Sequence, residues 1–154
     1  AATFAPGYEL DEWSAGEGAT LGNNGENPTT IIITDDSTLT LTASEIPTYT
    51  VTVNIDAGST SVTFTNANYP TQTVTTTGST VSLRRGVEYT ITGSFDTANG
   101  YVFDSWSAGS GSTLGSTTQN PTTYTVTSAS TVGFPLESRI SRALIFFIFM
   151  VFKF

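Results

Sequence analysis

Apolar and polar residues alternate along much of the chain, and the alternation has a period of two. In the clearest run, residues 48–55, Tyr and aliphatic side chains alternate with Thr and Asn. Successive side chains of a β-strand point to opposite faces, so this pattern predicts a strand with one apolar and one polar face. The same pattern predicts strands at residues 61–65, 72–76, 80–84, 88–95 and 101–106. No window before residue 136 shows helical periodicity, and we therefore expect an all-β fold with Thr-rich amphipathic strands.

Two further pairs of strands are predicted around short turns. Residues 29–34 and 38–43 are rich in Ile, Leu and Thr and flank the trio Asp35-Asp36-Ser37. Asp and Ser favour turns because their side chains hydrogen-bond to nearby backbone, so the segment 29–43 is predicted to be a hairpin. Residues 122–127 and 130–134 are predicted to repeat that hairpin, and the Gly- and Ser-rich residues 108–120 are predicted to form a long loop.

The chain repeats itself with an offset of 93 residues. From Gly7 to Thr38 the sequence aligns without a gap with Gly100 to Thr131, and 18 of these 32 paired residues are identical. A long period of this kind is typical of arrays of like modules. Such arrays usually have mechanical or binding roles, since a single active site rarely needs to be copied.

Composition excludes several kinds of chemistry. The chain has 31 Thr and 17 Ser, which favour strands with solvated faces, and it has no Cys and no His. Disulfides, thiol catalysis, ordinary zinc sites and histidine acid–base catalysis are therefore excluded, and we expect no cofactor and no bound metal. The composition is more typical of an exported bacterial protein than of a cytosolic enzyme.

The charge is strongly one-sided. All 13 acidic residues lie in residues 1–138, where Arg84 and Arg85 are the only basic ones, so this part of the chain has a formal charge of −11. A surface of this sign repels polyanions, and we do not expect nucleic-acid binding.

The last twenty residues differ from the rest. Residues 135–154 hold five of the ten Phe, three of the five basic residues and the one Met. The apolar run 143–152 is too short to span a bilayer, which takes about 20 residues, so membrane insertion is not expected. Two other interpretations are open: a sequence that is not native to the protein, or a strand or helix that packs on the body or is donated to a neighbouring molecule.

The repeated residues resemble the divergent internalin-B-type repeat of bacterial cell-surface proteins. The resemblance covers roughly residues 1–134 and rests on these positions: Gly100-Tyr101, Phe103-Asp104, Trp106, Asn120-Pro121 and Thr125-Val126-Thr127, with Gly7-Tyr8, Leu10-Asp11, Trp13, Asn27-Pro28 and Ile32-Ile33-Thr34 in the first copy. It implies small β-rich modules, β-grasp-like in fold, without catalytic residues. It also implies a domain organisation: residues 1–43 are the back half of one unit, 44–47 a linker, 48–134 a complete unit and 135–154 an atypical tail.

Four aromatic residues of the repeat are candidates for either ligand binding or packing: Tyr8, Trp13, Tyr101 and Trp106. Exposed aromatic rings stack on sugars, whereas rings in repeated apolar strands anchor a core. We expect both Trp residues to be core anchors.

The charged residues of the repeat have comparable alternatives. Asp11 and Asp104 lie two residues before each Trp and are expected to cap or turn the chain rather than to act as acids. Asp35-Asp36 is expected to form a turn rather than a calcium site, which needs more oxygen ligands at regular spacing. The Arg84-Arg85 pair either balances nearby carboxylates or binds an acidic ligand.

Three function classes follow from these patterns. We expect a non-enzymatic structural or adhesion module at the outer surface of a bacterium, in contact with a host or cell-surface glycan or protein. A carbohydrate-binding module is the first alternative. A filament subunit that self-associates by strand exchange is the second, because unpaired strand edges recruit other chains.

Overall fold

The computed structural model describes residues 1–138. The chain divides into two compact units, Ala1–Pro47 and a second unit that begins at Thr48. Residues 1–138 contain fifteen strands and no helix, and the predicted all-β class is confirmed. A β-grasp arrangement includes a helix, so the β-grasp-like form of the expectation does not describe this part of the chain. The interpretations of the apolar run 143–152 fall outside the described residues.

Unit 1 consists of two strand pairs. Its strands are β1 (Tyr8–Ala15), β2 (Ala19–Leu21), β3 (Ile31–Ile33) and β4 (Leu39–Glu45). β1 pairs with β4, and β2 pairs with β3, both antiparallel. Each strand of unit 1 therefore has one partner within the unit and one edge that no strand of residues 1–138 pairs with.

Residues 48–138 of unit 2 contain eleven strands: β5 (Thr48–Ile55), β6 (Ser59–Asn66), β7 (Tyr69–Val74), β8 (Ser79–Arg84), β9 (Glu88–Phe95), β10 (Tyr101–Phe103), β11 (Ser107–Ala108), β12 (Ser112–Leu114), β13 (Thr122–Val126), β14 (Ser130–Phe134) and β15 (Leu136–Ser138). A four-stranded sheet has the order β11-β14-β5-β8, and a five-stranded sheet has the order β12-β13-β9-β6-β7. β10 and β15 form a separate antiparallel pair.

The predicted alternation fills the core of unit 2. Val51 and Val53 of β5 are fully buried, and so are Val62 of β6 and Ile91 of β9. One buried cluster joins side chains of both larger sheets, so the two sheets pack with their apolar faces together. The Thr residues that alternate with these apolar residues along β5, β6 and β9 are exposed or partly exposed.

The predicted hairpins are wrong, although the strands themselves exist. β3 pairs with β2 and β4 with β1, and in unit 2 β13 pairs with β12 and β9 while β14 pairs with β11 and β5. The turn between the two strands carries the chain from one sheet to another instead of folding it back on itself. Turn-forming residues stop a strand, but they do not specify which strand it pairs with.

Two segments predicted to be irregular form ladders instead. Ser44 and Glu45, assigned to a linker, continue β4 and pair with Glu9 and Tyr8. The predicted loop 108–120 contains β12, which pairs with β13. Neither segment has an apolar alternation, but every residue other than Pro offers backbone groups to a ladder.

The start of the atypical tail belongs to unit 2. Leu136–Ser138 pair with Phe103–Tyr101, as Ala43–Glu45 pair with Leu10–Tyr8 in unit 1. The backbone of the two copies therefore stays equivalent for seven residues after their aligned sequence ends at Thr131.

Candidate functional site

The Trp of the second copy is a core anchor of unit 2. Trp106 is 2% exposed and its ring lies 5.0 Å from the ring of Phe134 and 5.7 Å from that of Phe103. Its indole N–H donates to the carbonyl oxygen of Gln119 at 2.9 Å, so the polar edge of the ring is satisfied inside the protein. The arrangement leaves no open ring face for a sugar.

Trp13 makes the equivalent hydrogen bonds to the loop that follows it in unit 1. It is 8% exposed, and its indole N–H donates to the carbonyl of Glu26 at 3.1 Å. Its backbone N–H donates to Asn24 O at 2.8 Å, and the backbone N–H of Trp106 donates to Thr117 O at 2.6 Å. Both Trp residues thus fasten the long loop that follows them.

The loop itself is held by the same hydrogen bonds in both copies. Thr127 donates to the carbonyl of Gly111 through its N–H at 2.7 Å and its Oγ1 at 3.2 Å, and Thr34 donates to Gly18 O through the same two atoms at 2.8 and 3.2 Å. Gly18 and Gly111 have φ of 83° and 85°, which side chains other than Gly rarely adopt. The identical Gly and Thr residues of the repeat are therefore accounted for by the shape of this loop.

A pair of Asn residues, noted in the sequence only as part of the repeated Asn-Pro motif, holds a second backbone segment in each unit. The side chain of Asn120 accepts from Gly93 N–H at 2.9 Å and donates to Gly93 O at 2.7 Å, which ties the loop to β9. Asn27 makes the same two hydrogen bonds with Ala2, at 2.8 and 2.7 Å. Their presence at identical positions of the repeat was the available signal, but the partner could not be read from it.

The two Tyr candidates differ in exposure because only one has a packing partner. The ring of Tyr101 is half-buried and lies so close to Gly58 that a Cβ there would come within 2.5 Å of it. Tyr8, its equivalent, is 45% exposed, and unit 1 contains no counterpart of the turn around Gly58. Tyr101 therefore packs, and the exposure of Tyr8 reflects a missing neighbour.

The same difference extends over a whole face of unit 1. Tyr124, Val126, Val132 and Phe134 are at most 1% exposed in unit 2, whereas the equivalent Ile31, Ile33, Leu39 and Leu41 are 37%, 65%, 49% and 38% exposed. We call these four residues of unit 1 the open face. In unit 2 the equivalent face is covered by side chains of β5, β6, β8 and β9.

The carboxylates serve local structure. Asp11 lies at the bulge between Leu10 and Glu12 in β1, where the pairing with β4 shifts by one residue. Asp104 follows the end of β10 and accepts from Ser105 Oγ at 3.1 Å. Asp35 Oδ1 accepts from Asp36 N–H at 2.8 Å, a hydrogen bond within the turn. No group of three or more acidic side chains suited to a metal ion occurs within residues 1–138.

A shallow groove occurs at the same place in each copy, but its charged residues are not repeated. In unit 1 it has a volume of about 380 Å³ and is lined by Gly16, Glu17, Asp36, Ser37 and Thr38. In unit 2 it measures about 340 Å³, and Ser110 and Ala129 replace Glu17 and Asp36. The residues common to both grooves are small and hydroxylic, which suits a turn better than a copied reactive site.

Comparison of the chain with protein-family models, with curated proteins and with solved structures finds no match. The part of the chain that the structure describes holds no helix of the length and apolarity needed to cross a membrane.

Proposed function

We propose that the protein is a non-enzymatic structural module of a bacterial surface protein, located outside the cell, where it separates or presents other parts and carries tension along its chain. The proposal rests first on the pairing of β5, the first strand of unit 2, with β14. The repeated sequence and the acidic, Thr-rich composition support it as well.

The supporting observation is the parallel pairing of β5 with β14. β5 is the first strand of unit 2, β14 begins 75 residues after β5 ends, and Val51–Ile55 align with Ser130–Phe134 in parallel. Force applied at Thr48 and beyond Phe134 pulls the two strands in opposite directions along their axes. All hydrogen bonds of the ladder are then loaded together, whereas a hairpin pulled open at its end breaks them one after another.

The use of the repeated residues also supports a structural role. The shared Trp residues are occupied by packing and by hydrogen bonds to the loop, the shared Gly18/Gly111 and Thr34/Thr127 by hydrogen bonds within it, and the shared Asn residues by hydrogen bonds to a second backbone segment. A carbohydrate-binding module would need aromatic rings on the surface, and both Trp rings are buried. The structural module is therefore the better-supported proposal of the two.

Single-molecule pulling in two directions tests this proposal. The chain has no Cys, so introduced pairs provide unique attachment points. Thr48→Cys with Pro135→Cys pulls β5 against β14, and Thr48→Cys with Arg85→Cys pulls apart β5 and β8, in which Thr48 lies opposite Arg84. Because forced unfolding reports the barrier to strand separation, we expect a severalfold higher unfolding force for the first pair. Equal unfolding forces in the two directions would contradict the proposal that the β5–β14 pairing resists tension.

A further inference from the structure

The open face of unit 1 comes with two strand edges that no strand of residues 1–138 pairs with. β3 of unit 1 is the counterpart of β13 of unit 2, and β4 is the counterpart of β14. In unit 2, β9 pairs with β13 and β5 pairs with β14. The equivalent edges of β3 and β4 pair with no strand of residues 1–138. Apolar side chains and unpaired backbone groups thus occur together on unit 1, as they do where a β-segment is bound by edge pairing.

Unit 2 shows what covers such a face. The segment Thr48–Phe95 contributes an antiparallel strand, β9, beside β13, and a parallel strand, β5, beside β14. It also contributes the buried side chains Val51, Val53, Val62, Phe64 and Ile91, which share one cluster with Tyr124, Val126, Val132 and Phe134. The covering segment is therefore a set of amphipathic strands with a defined order.

The Asn clamp shows how a covering segment would enter. Asn120 holds Gly93 near the end of β9, and Asn27 holds Ala2 through the same two atoms. Ala2 thus takes the hydrogen-bonding place that Gly93 has in unit 2. The residue that packs against this position also differs between the units. A Cβ on Gly93 would lie 2.9 Å from the ring of Phe134, whereas unit 1 has Ala2 in place of Gly93 and the smaller Leu41 in place of Phe134.

Charge favours the same partner. Unit 1 has eight acidic residues and no basic residue, while residues 48–95 contain the Arg84-Arg85 pair. In unit 2 the turn after this pair is fixed by a hydrogen bond from Gly86 N–H to Val126 O at 2.9 Å. The equivalent of Val126 is Ile33, which Asp35 and Asp36 follow closely. A second segment of this kind would bring its Arg pair towards two carboxylates.

We propose that the open face of unit 1 is the docking surface for a strand segment of the Thr48–Phe95 type that is joined to the chain ahead of Ala2. The segment adds a β9-like strand to β3 and a β5-like strand to β4, and it buries Ile31, Ile33, Leu39 and Leu41. Unit 1 thereby becomes a module of the same architecture as unit 2.

A chain extended at its N-terminus tests this proposal. A second copy of residues 48–92 is fused directly ahead of Ala2, which places Ala2 where Gly93 follows Thr92 in unit 2. Amide hydrogen exchange of Ile31–Ile33 and of Leu39–Leu41 is compared with that of the unextended chain, together with the molar mass by light scattering. We expect a monomer in which these amides exchange at least tenfold more slowly.

Two matched variants of the extended chain separate docking from other effects. Asn27→Ala removes the clamp without touching unit 2, and the slowed exchange should then be lost at Ile31–Ile33 but kept at Thr122–Val126. An Ile-to-Asp change in the added copy, at the position of Ile91, should abolish it as well. The proposal is overturned if the extension leaves exchange at Ile31–Ile33 unchanged, or if the unextended chain is already a dimer that protects these amides.

Discussion

Asn120 holds the backbone of Gly93 through both polar atoms of its amide, with Oδ1 accepting from the N–H at 2.9 Å and Nδ2 donating to the carbonyl at 2.7 Å. Gly93 lies on β9, which pairs with β6 on one side and with β13 on the other. Asn120 ends the long loop after Trp106. One side chain thus connects the repeated loop to the part of unit 2 that has no copy in unit 1.

Replacing Asn120 with Ala should destabilise unit 2. The change removes two partly buried hydrogen bonds, each with a net contribution of about 1 kcal/mol, and leaves two backbone groups without a partner. We expect the free energy of unfolding of unit 2 to fall by about 2–3 kcal/mol in urea denaturation. Asn27→Ala is the matched control, because it removes the same hydrogen bonds from unit 1. An equal loss in unit 2 from both variants would contradict the assignment.

Gly93 should tolerate a methyl group only if Phe134 becomes smaller. Gly93→Ala places a Cβ 2.9–3.2 Å from three atoms of the buried Phe134 ring, and overpacking of this kind costs about 1–3 kcal/mol. Phe134→Leu reproduces the Ala2 and Leu41 combination of unit 1, so the double variant should be less destabilised than the sum of the two single variants. Strict additivity in this double-mutant cycle would show that the two positions do not interact. Gly25→Ala, which meets no atom closer than 3.8 Å, serves as a neutral control.

The two Trp residues should respond differently to substitution. Trp106→Phe leaves Gln119 O without its donor and opens space beside Phe103 and Phe134. We expect a loss of about 2–4 kcal/mol from unit 2, in the range of large-to-small core changes. Trp13→Phe should leave the unfolding of unit 2 unchanged.

Fluorescence quenching by iodide then reports each Trp on its own. In the Trp13→Phe variant only Trp106 emits, and its burial predicts weak quenching. Strong quenching of Trp106, or binding of a sugar that shifts its emission, would instead support the carbohydrate-binding alternative.

The titration of Asp96 should depend on Asn99. The side-chain amide of Asn99, and then its backbone N–H, donate to the carboxylate and hold the pKa of Asp96 below its ordinary value. A lowered pKa in the folded state stabilises the fold above the unfolded pKa, and this contribution disappears as the pH falls through the folded pKa. Asn99→Ala should therefore raise the pKa of Asp96 in an NMR titration of its carboxyl carbon.

A neighbouring variant provides the comparison for that titration. Thr97 contributes no hydrogen bond to the lowered pKa of Asp96, so Thr97→Ala should leave the titration where it is. An unchanged pKa in Asn99→Ala would show that the side-chain hydrogen bond from Asn99 to the carboxylate does not persist in solution.

The strands of unit 2 were predictable where side chains alternate over a buried face. β5, β6, β8 and β9 bury every second residue, and their sequences show it. β12 and β15 were missed because their pairing rests on backbone groups, which leave no mark in the sequence. The hairpin prediction failed because Asp35-Asp36-Ser37 marks a change of direction, whereas the partner of β3 is decided by contacts distant in sequence.

The sequence predicted which residues form the candidate site, but not which residues they contact. The repeat pointed to Trp13 and Trp106 and to their packing role. It could not show that Asn120 holds β9 or that Asn27 holds Ala2, because Ala2 and Gly93 stand at different distances from the repeat. Nor could it show the open face, since Ile31 and Ile33 look like core residues until their missing neighbours are known.

Both copies share one loop scaffold, while within residues 1–138 the second copy alone is covered by further strands. Hydrogen exchange of equivalent amides in the unextended chain tests this most directly. We expect slow exchange throughout Thr122–Val126 of β13, which pairs with β9 and β12, and much faster exchange at Thr29–Ile33, since β3 pairs only with β2 within residues 1–138. Equal protection of the two segments in a monomeric chain would contradict it.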